Sequence, residues 1–163
     1  MERKRKKPFF YRADRGETAL WELYDAGQYF NPNLSALLLN GADISHHNNK
    51  GETVLWSLWR SNDGFDSKLG ELLANGADIN NRDNKGETIL HATVRRFPIY
   101  NNTPEVVYSL VAAGVDVDCK CNSGKTAQDI LKETYTRESE RASQGKKTEL
   151  ETKRDKVLRI LAR

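Results

Sequence analysis

The 163-residue chain has only two cysteines, Cys119 and Cys121, separated by one residue. A disulfide framework is therefore not what holds the fold together. No run of about 18 apolar residues occurs, so no bilayer-crossing helix is expected. The stretch "MERKRKKPFF" at the amino terminus lacks the apolar segment of a secretory signal. These absences lead to the expectation of a soluble, cytoplasmic protein, with nuclear residence or delivery into a host cell left open. Phosphate-cradling glycine loops, HExxH and the nucleophile elbow are all missing. Catalysis has no visible seat, and no enzyme activity, cofactor or small-molecule substrate is expected.

A strong charge of one sign is also lacking. The net +3 conceals five basic and one acidic residue in 1–7, twelve and sixteen in 8–132, and nine and six in 133–163. The body is thus mildly acidic between two basic ends. A nucleic-acid binder would spread basic side chains over a broad face, so no nucleic-acid partner is expected except through residues 1–7. That cluster resembles a nuclear-import signal and could equally touch RNA or an anionic membrane; a solvated tail is the plainer reading.

What the chain does have is self-similarity. With 37% apolar and 9% aromatic residues it can bury a core, and it writes nearly one phrase twice: "NGADISHHNNKGETVLW" from Asn40 and "NGADINNRDNKGETILH" from Asn75. The glycine of a Lys/Arg-Gly-Glu-Thr phrase recurs at Gly16, Gly51 and Gly86, spaced by 35, and "NSGKTAQDI" places Gly124 a further 38 on. A period in the thirties signals stacked repeats.

Each unit reads as a helix pair. Gly-Glu-Thr opens the first helix, with the Thr hydroxyl near N–H groups that need an acceptor. The second helix shows apolar residues at helical spacing: Leu34, Leu37 and Leu38, then Leu69, Leu72 and Leu73, then Val107, Leu110 and Val111. Gly41, Gly76 and Gly114 follow where a left-handed C-cap favours glycine. A turn-like finger beginning with Asp and an apolar residue leads into the next unit.

These residues resemble the ankyrin repeat family, whose finger ends in Asp-x-x-Gly-x-Thr-Pro-Leu-His and whose helix pair is followed by Gly-Ala-Asp-Val-Asn. The resemblance covers about residues 9–132, with units near 9–43, 44–78, 79–116 and the start of a fourth at 117–132. Around it lie a basic tail (1–8), a charged insertion (133–149) and a capping helix (150–163). The insertion either lengthens the preceding helix or forms a loop. The implied fold is all-α: an ankyrin-repeat solenoid of helix-turn-helix units joined by β-hairpin-like fingers. Ala19, Val54, Ile89 and Ala127 stand where the family has Pro, and Trp21, Trp56, His91 and Asp129 where it has His. Only the third unit keeps the family's Thr-His pair, so the first two must tie loop to helix differently; an indole N–H offers one bond.

The resemblance also implies a function, that of a non-catalytic adaptor or inhibitor, expected to be a monomer, binding a protein through finger tips and inner helices; the alternative is a regulator of a nucleic-acid process, with residues 1–7 as nuclear address or direct nucleic-acid contact. Carried over position by position, the candidate contacts are Arg12, His47, Arg82 and Lys120 in the fingers, Arg15, Lys50 and Lys85 before the glycines, and Arg60, Arg95 and Arg96 late in the inner helices. This basic stripe is read as facing an acidic partner surface, with Glu17, Glu52 and Glu87 as an acidic row beside it. The plainer alternative is that Lys-Gly-Glu merely makes a soluble turn. In the loop "RRFPIYNNTP", Ile99 and Tyr100 are candidate anchors with Phe97, unless these residues fold back on the helix. Trp56 and Trp59 read as core. His46 and His47 with Cys119 and Cys121 read as finger residues rather than a metal site, since zinc needs converging ligands.

Overall fold

The computed structural model describes residues 10–12, 17–21, 34–61, 65–97 and 103–162. Strands β1 (Phe10–Arg12) and β2 (Glu17–Thr18) pair antiparallel, with Phe10 opposite Thr18 and Arg12 opposite Glu17. Residues 19–21 then turn helical. The remaining regular structure is helix: α1 (Leu34–Leu39), α2 (Val54–Ser61), α3 (Phe65–Ala74), α4 (Ile89–Arg95), α5 (Thr103–Ala112), α6 (Ala127–Arg141) and α7 (Gln144–Leu161). The protein is therefore predominantly helical, with one short ribbon among the described residues. It divides into two compact units, Met1–Asp78 and Ile79–Arg163. The division falls where the sequence repeat passes from its second to its third unit.

In the first unit, α2 packs on α3. Helix α2 buries five consecutive residues, Val54 to Leu58, which marks an inner helix surrounded by protein rather than one resting on a surface. Phe65, Leu69 and Leu72 of α3 are buried, at the spacing of a single helical face. Trp21 and Trp56 are core residues, and Trp56 meets the half-buried Trp59 edge-on with ring centroids 6.0 Å apart. Ser57 Oγ donates to the Trp21 carbonyl at 3.2 Å, tying α2 to the helical turn that follows β2.

The second unit is a pair of helical hairpins laid one on the other. Helix α4 packs on α5 and α6, and α7 packs on α5 and α6. Inner helix thus meets inner helix and outer meets outer. Six of the seven residues of α4 are buried, while α5 buries Val106, Val107 and Leu110 on one side and exposes Glu105 and Tyr108. Phe97, just past α4, is almost wholly buried, so it folds back into the core; Ile99 and Tyr100 lie outside the described residues.

The charged insertion is helical. Helices α6 and α7 run 15 and 18 residues against 7 and 10 for α4 and α5, so residues 133–149 lengthen the last hairpin, and its second helix begins at Gln144, ahead of the capping helix read from residue 150. The composition permits this because Thr134 and Leu150 supply buried positions within an otherwise polar stretch. Arg154 lies over the Tyr135 ring at 4.2 Å and Tyr135 Oη donates to Glu151 Oε1 at 3.2 Å, closing the hairpin with a stacked, half-buried contact.

Candidate functional site

The candidate surface is built on a turn used three times. In each described finger, a backbone N–H reaches the carbonyl four residues on: Asn48 to Glu52 at 2.9 Å, Asp83 to Glu87 at 2.9 Å and Cys121 to Lys125 at 3.0 Å. The glycine three residues on closes the turn by donating back, from Gly51 to Asn48, Gly86 to Asp83 and Gly124 to Cys121. Those glycines have φ of 76°, 70° and 76°, a left-handed conformation that a side chain disfavours. The first residue also caps the turn with its side chain. Asn48 Oδ1 accepts from Lys50 N and Glu52 N, and Asp83 Oδ1 from Lys85 N and Glu87 N. Cys121 takes the same place, with Sγ 3.1 Å from Ser123 Oγ. Burial alone would push its thiol up, but the Ser123 hydroxyl and the Lys125 and Ser123 backbone outweigh it and hold the thiol below the ordinary cysteine value.

The residue after each glycine reaches eight residues ahead to the inner helix. Glu52 pairs with Arg60 at 3.1 Å, Glu87 pairs with Arg95, and the last brace is reversed, Lys125 pairing with Glu133 at 2.7 Å. The expected acidic row is corrected here: Glu17, Glu52 and Glu87 are all buried. They cannot border a groove. A buried carboxylate needs a partner, and the arginine late in the inner helix supplies it for Glu52 and Glu87. The braces therefore also consume two of the arginines read as contacts.

The helix starts differ between units. Thr88 and His91 form a reciprocal cap, with Thr88 N–H and hydroxyl 3.2 and 2.9 Å from His91 Nδ1, and His91 Nε2 lies 3.2 Å from the Lys125 carbonyl. Burial lowers the His91 pKa, so the ring is neutral, donating through Nε2. At the next start Asp129 replaces the histidine: its Oδ2 accepts from Thr126 N and Oγ1 at 2.9 and 2.8 Å, which keeps this exposed carboxyl below its usual range. In the first unit the hydroxyls of Thr18 and Thr53 are buried without a hydrogen-bond partner. Trp21 and Trp56, at the positions that correspond to His91, are buried.

Within the second unit the two fingers are bonded to each other. Arg82 Nε donates to the Gly86 carbonyl at 3.1 Å and Nη2 to the Lys120 carbonyl at 2.6 Å; Asn122 N donates to the Lys85 carbonyl at 2.9 Å and its Nδ2 to the Asn84 carbonyl at 3.1 Å. Asp116 N reaches Asn80 Oδ1 at 2.7 Å.

The sequence candidates now separate. Lys50, Lys85 and Lys120 are exposed, and their ammonium groups make no hydrogen bond or ion pair among the described residues. His47 is exposed and Arg96 half-buried. Arg60, Arg82 and Arg95 are exposed or half-exposed but engaged within their own unit, Arg60 also lying 5.9 Å from the Trp21 ring. Arg12 ends β1; its side chain, like Arg15, Ile99 and Tyr100, lies outside the described residues. Sequence reasoning missed Lys125 and Glu133. The signal was there, since Lys125 stands where the other phrases have Glu, but its consequence eight residues later is not a local pattern.

Among the described residues no group of three or more His, Cys, Asp or Glu side chains could hold a metal ion, and no helix is long and apolar enough to cross a membrane. Comparison of the chain with protein-family models and with curated proteins finds no match.

Proposed function

We propose that the chain is a non-catalytic protein-interaction module, an adaptor or inhibitor, in which four ankyrin-like hairpins stack into a solenoid and present finger tips and inner helices to a protein partner. The reading draws support from the recurring finger turn, the bonding between the two fingers of the second unit, and the inner-on-inner, outer-on-outer packing of that unit's helices. One observation carries it. Arg60 and Arg95 are engaged in internal braces with buried glutamates, yet each of the three described finger turns leaves a lysine exposed and without a hydrogen bond or ion pair among the described residues, Lys50, Lys85 and Lys120. Charges that make no hydrogen bond or ion pair among the described residues and sit on a recurring turn are suited to steering and selecting a partner.

The test is crosslinking from photoreactive residues at His47 and Asn84 in the native cell, with wild type and a Lys50→Glu, Lys85→Glu, Lys120→Glu variant. The variant should melt with wild type, because exposed charges contribute little to folding, and should lose the partner. Recovery of no protein partner, or equal recovery by the triple variant, would overturn the reading.

A further inference from the structure

The reversed brace points to the kind of partner. Gly86 and Gly124 start equivalent phrases, so Arg95 and Glu133, each nine residues past its glycine, hold equivalent places on α4 and α6, which pack together. Packed helices lie about 8–10 Å apart, within the span of one extended segment. Their side chains are open to solvent, 51% for Arg95 and 58% for Glu133. Beside α4, Arg96 and the finger cations Arg82 and Lys85 add positive charge, whereas α6 places the exposed carboxylate of Asp129 a turn before Glu133, within the influence of Lys120 and Lys132, so that this side shows both signs. Of the two carboxylates on the α4 side, Glu87 is buried under Arg95 and Asp83 is turned into the finger, where it accepts from Lys85 N and Glu87 N.

Simple duplication would have kept Glu at 125 and Arg at 133. The exchange preserves the brace, so folding does not require it; what it alters is the sign shown to solvent at the end of the brace. A uniform polyanion, whether nucleic acid or an anionic membrane surface, would be drawn to the α4 side but would meet the carboxylates of Asp129 and Glu133 among the cations at α6. A protein segment can match both signs. We propose, on the interaction-module reading above, that this face of the second unit takes a polypeptide segment of mixed charge, its carboxylates against Lys85 and Arg95 and a basic side chain against Glu133.

The proposal is tested on the full chain at low salt by fluorescence anisotropy with three labelled probes of equal length: an all-glutamate peptide, a peptide with a glutamate half and a lysine half, and single-stranded oligo-dT. Wild type should bind the two-block peptide about tenfold more tightly than either uniform polyanion, the scale expected of rim charges. Lys125→Glu with Glu133→Arg keeps an ion pair in the same place and turns the exposed end cationic, so it should bring the all-glutamate peptide to the affinity of the two-block peptide or beyond. Should the double variant fail to melt cooperatively, Glu133→Gln removes the anion alone and should narrow the gap in the same direction. Wild type that binds a uniform polyanion as well as the two-block peptide, binds none of the three, or keeps its preference after the exchange overturns the proposal. The two readings fail separately. A crosslinked protein partner whose affinity ignores the exchange sinks the mixed-charge segment and leaves the module standing, while no partner at all sinks the module.

Discussion

The two nearly identical stretches from Asn40 and from Asn75 end in different chemistry. Both place a buried glutamate after a left-handed glycine and brace it with an arginine eight residues on. In the first, Asn48 does two jobs: its Oδ1 accepts from the turn and its Nδ2 donates to Glu52 Oε2 at 3.0 Å. In the second, Asp83 can only accept, and the Glu87 carboxylate accepts from Arg95. The helix starts diverge too, with Thr88 capped by His91 while Thr53 Oγ1 lies buried with no hydrogen-bond partner. A repeat can thus conserve its backbone turn while redistributing which side chain neutralises the charge and which caps the helix.

The fingers themselves offer the largest test. A Cβ on Gly86 would overlap Asn122 Oδ1 and come within 2.8 Å of Arg82 Nη2, whereas a Cβ on Gly124 meets nothing within 4 Å. Both glycines have positive φ, so alanine at either costs about 1–2 kcal/mol of backbone strain. Gly86→Ala must in addition displace Asn122 from its bond to Asn84 and disturb Arg82, which brings the expected loss to about 3 kcal/mol. Urea unfolding followed by ellipticity checks the order, and equal losses at the two positions would mean that the finger-to-finger bonds carry no weight.

The helix starts come next, and here one substitution should have opposite effects. Thr88→Val removes the hydroxyl that meets His91 and should cost about 1–2 kcal/mol. Thr53→Val replaces an unbonded buried hydroxyl with a methyl of similar shape and should be neutral or stabilising by up to about 1 kcal/mol. All three tryptophans, Trp21, Trp56 and Trp59, lie in the first unit. Their fluorescence therefore reports Thr53→Val, while ellipticity reports both changes. A proton separates the same two sites. Because burial lowers the His91 pKa, the unfolded chain binds the proton more readily. The neutral cap then contributes fully above the unfolded histidine value of about 6.5 and is lost as pH falls below it toward the lower folded value. His91→Gln should flatten that slope in the ellipticity midpoint; a slope that persists would assign it to other groups.

Much of this was legible in the sequence because it is local. Left-handed glycines at 41, 76 and 114, threonines at the starts of α4 and α6, and buried residues at positions such as Leu69, Leu72, Val107 and Leu110 each follow from spacing within one element. Helical content was legible for the same reason. The braces were not, since they join a turn residue to a helix end eight positions away and depend on how the chain bends between them. An exposed acidic row and a buried one have the same letters. The insertion was ambiguous for another reason: with so few apolar residues, either a loop or a helix was compatible with its composition, and packing of α6 on α7 decided it. For the candidate surface, residue type alone could not separate Lys85, which makes no internal ion pair, from Arg95, which does.

Breaking the braces gives an effect of the same order as removing the cap. Arg95→Met leaves Glu87 buried without its cation and should cost about 2 kcal/mol, less than a fully buried pair because Arg95 is half exposed. Arg60→Met leaves Glu52 the Asn48 amide and should cost about 1 kcal/mol, including its contact with Trp21. Fluorescence midpoints follow Arg60→Met and ellipticity follows Arg95→Met. Equal costs would show that the asparagine amide is no substitute for the guanidinium.

The smallest effect converts one finger into the other. Asp83→Asn keeps Oδ1 for the turn N–H groups of Lys85 and Glu87 and gains an amide directed as Asn48 Nδ2 is toward Glu52. It also removes one of two neighbouring negative charges. The change should stabilise the second unit by about 0.5–1 kcal/mol, the net value of one hydrogen bond. Its decisive use is in combination: in an Asp83→Asn background, Arg95→Met should cost about 1 kcal/mol rather than 2, the coupling expected of groups sharing a partner. If the two substitutions simply add, the amide does not reach Glu87, and the likeness between the twin stretches stops at the backbone.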